Sequence, residues 1–362
     1  ALPLLTSFCW LAVGCPMSSS TSSSEPWRRF FRQIAGTLAI AACVLFGFVA
    51  IVDPFDTLPL SPPLPRVPVA SNQRFAYPSL ARSDKFDAAV FGTSSSRLLR
   101  PAVLNPTFGA RFANLAMNDS TVWEQSRLFA LFADAHPDAK ALILGLDYRW
   151  CVTGSDYQRV TFRGFPEALY QSTRWPAYRE MFNMYALQSA GQLFGVMTGI
   201  KAQDQGSDGY TRFVPPDSDY DAARAMTHIL RDGITVPVGE RSGPPESWTF
   251  PAMPALRTML GRLPTSATKI VYFVPYNVRL QPPADHTGAP VWTECKARVA
   301  AVAKDFANTT VVDFLFPSPI TRNDENYWDG IHYRLSIADR LIADMKAAVN
   351  GQQSDDYRIL RK

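Results

Sequence analysis

Histidine and cysteine are scarce in this chain, which has four histidines and five cysteines among its 362 residues. None of them stands in a spacing typical of a zinc site, and no glycine-rich phosphate-binding loop occurs. The formal net charge is only +4, from 36 basic and 32 acidic side chains, and no basic stripe is interleaved with aromatic residues. These absences argue against nucleic-acid binding, and the sequence implies no metal and no organic cofactor.

Charge is also absent from a 19-residue run near the N-terminus, IAGTLAIAACVLFGFVAIV, residues 34–52. At about 1.5 Å per residue, a helix of this length crosses the roughly 30 Å hydrocarbon core of a bilayer. Three arginines precede the run, whereas Asp53 and Asp56 follow it. By the positive-inside rule, this asymmetry predicts a cytoplasmic N-terminus and places everything after Asp53 outside the cytoplasm. A buried core helix and a cleaved signal peptide are the alternatives, although FVAIVDP offers no clear small-residue cleavage site.

The first methionine, Met17, opens MSSSTSSSEPWRRFFRQ, which looks like a natural cytoplasmic N-terminus. We therefore expect residues 1–16 to be an over-extended start, with a lipoprotein signal ending at Cys15 as the alternative. The expected segments are a cytoplasmic stretch over 1–33, a membrane helix over 34–52, a stiff proline-rich tether over 53–74 that lifts the next domain off the membrane, and a domain over 75–362.

Within that last domain, short apolar runs alternate with helical patterns. DAAVFG, RFANLA, ALILGLD, KIVYFVP and TTVVDF have the character of buried strands, and TVWEQSRLFALFADAH, VWTECKARVAAVAKDF and RLSIADRLIADMKAAV that of helices. The first helix is capped by Asp119, Ser120 or Thr121. This alternation predicts an α/β fold with a parallel, doubly wound sheet in three layers. Residues 165–263 interrupt the pattern, and we expect them to form a mostly helical insertion over the C-terminal edge of the sheet.

Three serines follow the first strand and Gly92 in AAVFGTSSSRLLR. In a parallel sheet, functional groups collect just beyond the C-terminal ends of the strands. Ser94 lies there, at a strand-to-helix turn with a helix expected to begin at Ser95 or Ser96, so its hydroxyl should face the crevice and its N–H could meet an oxyanion. A plain helix N-cap is the alternative interpretation of the serines.

A serine nucleophile needs a base that is held by an acid. His332 is the best candidate, because Asp329 stands three residues before it in NYWDGIHYR, a spacing that allows the carboxylate to orient the imidazole within one turn. A surface loop is the alternative for this segment. The other histidines, at 136, 228 and 286, are expected to be structural.

These blocks resemble the SGNH (GDSL-type) hydrolase superfamily. Its first block is an apolar strand followed by Gly-Asp-Ser, and VFGTS matches it with Thr93 in the place of the aspartate. Its last block, Asp-x-x-His, is matched by Asp329 and His332. The resemblance runs from about residue 86 to residue 348, and it implies a flavodoxin-like three-layer fold with Ser94 as nucleophile.

The middle blocks depart from that pattern. NLAMNDST keeps Asn114 but has Ala116, Asn118 and Asp119 where glycines are common. The third block normally provides an asparagine amide to the oxyanion, whereas GLDY has Asp147 in that place. An ionised aspartate cannot donate a hydrogen bond, so Asp147 must be protonated, turned away or bound to another group. The catalytic candidates are Ser94, Asp329 and His332, and the candidates for oxyanion or substrate contacts are Gly92, Thr93, Asn114, Asn118, Asp119 and Asp147.

The chain is most similar to the membrane-tethered branch of that superfamily, which includes the D-alanyl transfer protein of the teichoic-acid pathway and the SGNH-like proteins of alginate and exopolysaccharide O-acetylation. The resemblance implies a bacterial inner-membrane protein with a periplasmic domain. It also implies transfer of an acyl group through acyl-Ser94 to a polysaccharide hydroxyl, with a membrane-bound O-acyltransferase as partner. A periplasmic esterase and a non-catalytic glycan-binding or assembly protein are the alternatives, the latter favoured by Asp147.

The sequence leaves open the roles of two arginines, several aromatic residues and two cysteines. Arg97 and Arg100 face an acidic glycan or are plain solvated helix residues. Aromatic residues of the insertion and its approach either form a sugar platform or pack in the core; they include Trp150, Trp175, Tyr178 and Tyr210. Cys151 and Cys295 are the only cysteines after the predicted membrane span, but sequence alone does not show whether they pair.

Overall fold

The computed structural model describes residues 25–154, 159–237, 239 and 241–362. The expectations for the first 24 residues, including a start at Met17 and a lipoprotein signal, lie outside the described residues. The chain divides into two compact units, residues 1–47 and Phe48–Lys362.

A single long helix, α1 (Glu25–Val52), is long and apolar enough to cross a membrane. It begins nine residues before the expected start, because nothing in EPWRRFFRQ breaks a helix. The side chains from residue 25 to residue 45 are exposed. This exposure argues against the alternative of a buried core helix.

The second unit is built on one six-stranded sheet in the order β2-β1-β3-β4-β5-β6. The strands are β1 (Ala88–Phe91), β2 (Phe112–Asn114), β3 (Ala141–Leu146), β4 (Thr268–Phe273), β5 (Thr309–Asp313) and β6 (Arg358–Arg361). The first five are parallel, which confirms the predicted α/β fold. The antiparallel edge strand β6 was not predicted, because RILR is short and half polar.

Helices cover both faces of the sheet. They are α2 (Gln73–Ala81), α3 (Pro101–Phe108), α4 (Val122–Ala135), α5 (Met184–Met197), α6 (Ala222–Arg231), α7 (Met253–Gly261), α8 (Ala289–Ala303) and α9 (Leu335–Val349). Helices α2, α4, α7 and α8 pack in series, and α3 packs against α9. Because parallel crossovers are right-handed, α3 and α4, which leave β1 and β2 in opposite directions along the sheet, lie on opposite faces. The result is three layers, with the change of direction at β1.

Of two local expectations, the helix cap is confirmed and the helix start after the serines differs. Thr121 is the N-cap of α4, where it exchanges hydrogen bonds with Glu124 in a capping box. The helix expected at Ser95 or Ser96 is only a single 3₁₀ turn (Ser96–Leu98). The α-helix proper, α3, waits for Pro101, whose fixed φ suits the first helical position.

The start of the proline-rich segment after α1 packs on the domain, whereas we expected a stiff tether over residues 53–74. Asp53, Phe55 and Leu58 are buried, and the Asp53 carboxylate accepts the N–H groups of Thr57 and Leu58 at 3.1 and 2.9 Å. Apolar side chains interspersed among the prolines cause the segment to pack on the domain. The compact unit therefore begins at Phe48 rather than at residue 75.

The insertion between residues 165 and 263 contains α5, α6 and α7, which alternate with 3₁₀ turns and irregular chain. A disulfide joins Cys151, just after β3, to Cys295 in α8, with Cα atoms 5.4 Å apart. The structure thus pairs the two cysteines whose pairing the sequence left open.

Candidate active site

Ser94, His332 and Asp329 form one continuous hydrogen-bonded series beyond the C-terminal ends of β1 and β5. The Nε2 atom of His332 lies 2.7 Å from Ser94 Oγ, and its Nδ1 atom lies 2.7 Å from Asp329 Oδ2. All three side chains are partly exposed. The structure therefore brings together residues 238 positions apart, in the arrangement that a serine nucleophile, a general base and an orienting acid require.

The Asp-x-x-His segment folds into a tight turn around its own carboxylate. Asp329 Oδ1 accepts the backbone N–H groups of Ile331 and His332 at 2.9 and 2.7 Å. An antiparallel bridge between Tyr327 and Tyr333 closes the turn. Burial opposes ionisation of Asp329, but the hydrogen bonds and charge of His332, together with the two N–H groups, outweigh it and hold the pKa of Asp329 below its usual range.

The structure separates the roles of the three consecutive serines. Ser95 is buried and its hydroxyl donates to Ile331 O at 3.0 Å, which fixes the histidine turn to the serine turn. Ser96 is also buried, with its hydroxyl 2.8 Å from that of Tyr272. Only Ser94 is both partly exposed and within reach of the imidazole.

Gly92 makes the close approach of the neighbouring segments possible. Its φ is +142°, and a Cβ atom there would overlap the Ser96 side chain. Its carbonyl accepts the N–H of Met117 at 3.0 Å and the hydroxyl of Ser120 at 3.2 Å. Gly92 thus holds the segment after β2 beside the serine turn, and it acts through the backbone rather than through contact with a substrate.

Asn114 has a different place from the one expected for an oxyanion or substrate contact. Its side chain is 1% exposed. The amide nitrogen lies 2.8 Å from Leu99 O and also contacts two other carbonyls of the serine turn, while Oδ1 accepts the N–H of Ala116 at 3.1 Å. With its donors and acceptor engaged, Asn114 braces the turn instead of facing the crevice.

Asn118, another of these candidates, is partly exposed and contacts Arg97. Arg97 Nη1 donates to Asn118 Oδ1 at 2.7 Å. Because arginine only donates, the atom that faces it must be the oxygen, and the NH₂ group of Asn118 points elsewhere. Arg97 itself is buried rather than solvated, with its guanidinium 4.8 Å from the ring centre of Phe213. Phe213 in turn packs edge-to-face on His332 at 5.4 Å.

Asp147 is buried and bound to other groups. It accepts the N–H of Arg149 at 3.0 Å, and the Thr93 side chain lies close enough to affect its pKa. Burial raises the pKa of Asp147 to about 6, although the charge and N–H of Arg149 and the Thr93 side chain oppose the shift. Thr93, after β1, and Asp147, after β3, are therefore neighbours.

Asp119, the next oxyanion candidate, forms an ion pair with the Arg149 side chain. Its φ is +50°, a left-handed conformation that aspartate tolerates better than most residues. The pair spans the segments after β2 and β3. Asp119 thus balances the arginine charge beside Asp147, and its carboxylate is an acceptor only.

The remaining sequence candidates lie in structural positions. Arg100 pairs with Asp339, so it is not a free cation for an acidic glycan. Trp150 is fully buried, which excludes it from a sugar platform, whereas Trp175 is exposed in the insertion. His136 is buried, with its ring nitrogens 2.8 Å from Phe132 O and 2.9 Å from Ser83 O.

Sequence reasoning did not identify Phe213 and Arg149 as parts of the site. Phe213 lies in a polar loop of the insertion, 119 positions before the histidine that it touches, and no local pattern marks it. The sequence did contain an indication of Arg149, because it follows Asp147 by two residues and a buried carboxylate needs a cation nearby.

Among the described ranges, no group of three or more histidine, cysteine, aspartate and glutamate side chains could hold a metal ion. Comparison of the chain with models of known protein families and with curated proteins finds no match.

Proposed function

We propose that this protein is a serine-dependent acyltransferase, anchored in a membrane and acting on hydroxyl groups of an extracytoplasmic polysaccharide. The observation that carries the proposal is the hydrogen-bonded series from Ser94 through His332 to Asp329. It lies at the change of direction in a doubly wound sheet, where ligands of such folds bind. A structural serine cap has no need of an imidazole held by a carboxylate.

The reaction uses these three side chains in two steps. Ser94 Oγ attacks the carbonyl carbon of an acyl donor while His332 Nε2 takes the hydroxyl proton, and the imidazolium returns that proton to the leaving oxygen as its bond to the acyl group breaks. A sugar hydroxyl then attacks the acyl-serine and gives its proton to His332. The imidazolium returns that proton to Ser94 Oγ as the bond between Ser94 and the acyl group breaks, which leaves the ester on the glycan and restores the free serine. Asp329 keeps the imidazole in the required tautomer and stabilises its cation.

Two donors support stabilisation of the oxyanion. Within the described residues, the backbone N–H of Ser94 makes no hydrogen bond, and the NH₂ group of Asn118 is turned away from Arg97. This amide would take the role that Asp147 cannot perform while its carboxyl accepts the N–H of Arg149. Loss of one such donor typically costs about 10²–10³ in rate.

The resemblance to the membrane-tethered SGNH branch supports the acceptor and the partner, a polysaccharide and a membrane-bound O-acyltransferase that supplies the acyl group. The apolar helix α1 supports an anchor, and the arginines on one side of its apolar run support an orientation with the domain outside the cytoplasm. The Cys151–Cys295 disulfide agrees with that side, because disulfides persist in oxidising compartments.

The test is covalent labelling of the full chain in detergent with a serine-directed fluorophosphonate, followed by mass spectrometry. Wild type should be labelled on Ser94, and Ser94→Ala should abolish labelling. The matched variant Ser95→Ala should retain it. Unlabelled wild-type protein, or labelling that survives Ser94→Ala, would favour the non-catalytic alternative.

The same preparation separates transfer from hydrolysis. After exposure to an activated acyl ester, the acyl-serine should be stable in buffer and should disappear when an oligosaccharide with free hydroxyls is added, with the acyl group recovered on the sugar. Rapid loss to free acid without any acceptor would identify an esterase instead.

A further inference from the structure

One helix of the insertion, α5, presents an uncharged face to the surroundings. From Met181 to Ile200, MFNMYALQSAGQLFGVMTGI contains no charged residue. Met184, Phe194 and Ile200 are 77%, 46% and 79% exposed. Large apolar side chains exposed in one contiguous stretch, as opposed to singly, indicate a contact surface.

The exposure follows the helical period. Met184, Gln188, Gly191 and Phe194 are all exposed and are spaced four, three and three residues apart, so they lie along one side of α5. The opposite side is buried in the domain through residues that include Ala186, Ala190 and Leu193. A surface helix normally carries charges on its outer side, as α6 does with two arginines. The outer side of α5 has none.

The position of α5 in the domain identifies what this face meets. Phe194 contacts Phe48, in the last turns of α1, with ring centres 5.8 Å apart. Tyr185 stacks on Phe55, just after that helix, at 6.1 Å. Arg174, the N-cap of the 3₁₀ helix that precedes α5, donates to Thr57 O at 2.8 Å. The helix therefore packs against the chain at the point where it leaves the apolar segment.

We propose that the outer face of α5 lies in the interfacial region of the lipid bilayer that α1 spans, so that the domain rests on the membrane. Trp175, 58% exposed, would lie at the same level, since tryptophan favours the membrane interface. Arg179 and Lys201 lie just outside the uncharged stretch, with Glu180 between Arg179 and its first residue, and the long side chains of the two cations can reach lipid phosphates. The proposal rests on the membrane anchor of the proposed function.

Lipid fits this surface better than a protein does. A 14-residue helix is about 21 Å long and about 10 Å wide, so its outer side offers on the order of 200 Å², whereas a stable protein interface buries roughly 800 Å² per partner.

The test uses the full chain in lipid nanodiscs at one chain per disc, with nitroxide labels on single cysteines. Cys9 and Cys15 are replaced by serine, and Cys43, in the middle of α1, carries the label in the reference protein. Two further variants carry Cys43→Ser and either Gln188→Cys on the α5 face or Lys304→Cys, an exposed position at the end of α8. The measured quantity is the accessibility of each label to oxygen, which concentrates in lipid, relative to a water-soluble nickel complex.

The labels at 43 and 188 should both favour oxygen, with a ratio several-fold above that at 304. A lipid-like value at 43 together with a water-like value at 188 would overturn the proposal for α5 and leave the anchor intact. A water-like value at 43 would overturn the anchor. Protection of the label at 188 from both reagents would indicate a protein contact. If this protection occurs only at two chains per disc, the occupant is a second copy of the chain. Either result overturns the lipid proposal.

Discussion

Replacing Asp147 by asparagine should stabilise the domain at neutral pH and leave its stability near pH 4 almost unchanged. The carboxyl group is 5% exposed, and burial raises its pKa from the usual 3.8 to about 6 in the folded protein. Below pH 3.8, the folded and unfolded chains both hold the proton and this group does not disfavour folding. As the pH rises through about 6, the folded chain must ionise this buried carboxyl group. The stability that the domain has at low pH is lost by that amount.

The magnitude follows from the size of the shift. The pKa of Asp147 is about two units higher in the folded chain than in the unfolded chain. This difference lowers the unfolding free energy of wild type at pH 7.5 by about 3 kcal/mol relative to its value at low pH. Asparagine mimics the protonated acid and can still accept the N–H of Arg149, so it should recover most of this energy. At about 2 °C per kcal/mol for a large domain, the melting temperature should rise by about 6 °C.

The assay is thermal unfolding of the full chain in detergent, followed by tryptophan fluorescence at pH 4.5, 6.0 and 7.5. The difference in melting temperature between Asp147→Asn and wild type should grow with pH. Asp138→Asn, at an exposed aspartate, is the matched control and should show no such growth. A pH-independent difference, or destabilisation that increases with pH, would mean that the ionised carboxylate is favourable beside Arg149 and would refute this reasoning.

Two further outcomes are expected. Asp329→Asn should keep the fold but slow fluorophosphonate labelling of Ser94 by about 10³–10⁴-fold, because the imidazole of His332 loses the partner that sets its tautomer; a wild-type labelling rate would show that this carboxylate is not needed. Cys295→Ser, measured by the melting temperature without reductant, should destabilise the domain by about 2–5 kcal/mol, because it releases a loop of 144 residues closed by Cys151. Cys43→Ser is its control, and equal melting temperatures for both variants would show that the disulfide contributes nothing.

The sequence alone determined the buried strands and the candidate site residues, because both depend on patterns among neighbouring residues. The apolar runs before Gly92, and those of β3, β4 and β5, predict buried parallel strands, since a strand covered on both faces needs apolar side chains at every position. The serine at the end of β1 and the Asp-x-x-His spacing predicted which side chains would face the crevice, and these are the residues that meet in the structure.

Only the tertiary structure decided which residues from distant segments come into contact. No local pattern pairs Cys151 with Cys295, places Phe213 on His332 or turns Thr93 toward Asp147. Nor does composition show that the start of the proline-rich segment packs on the domain or that β6 pairs with β5. Periodicity reports how apolar each side of an element is, whereas the identity of the partner follows from how all the elements pack together. For that reason the nucleophile could be proposed from thirteen residues, while the environment that surrounds it required the whole fold.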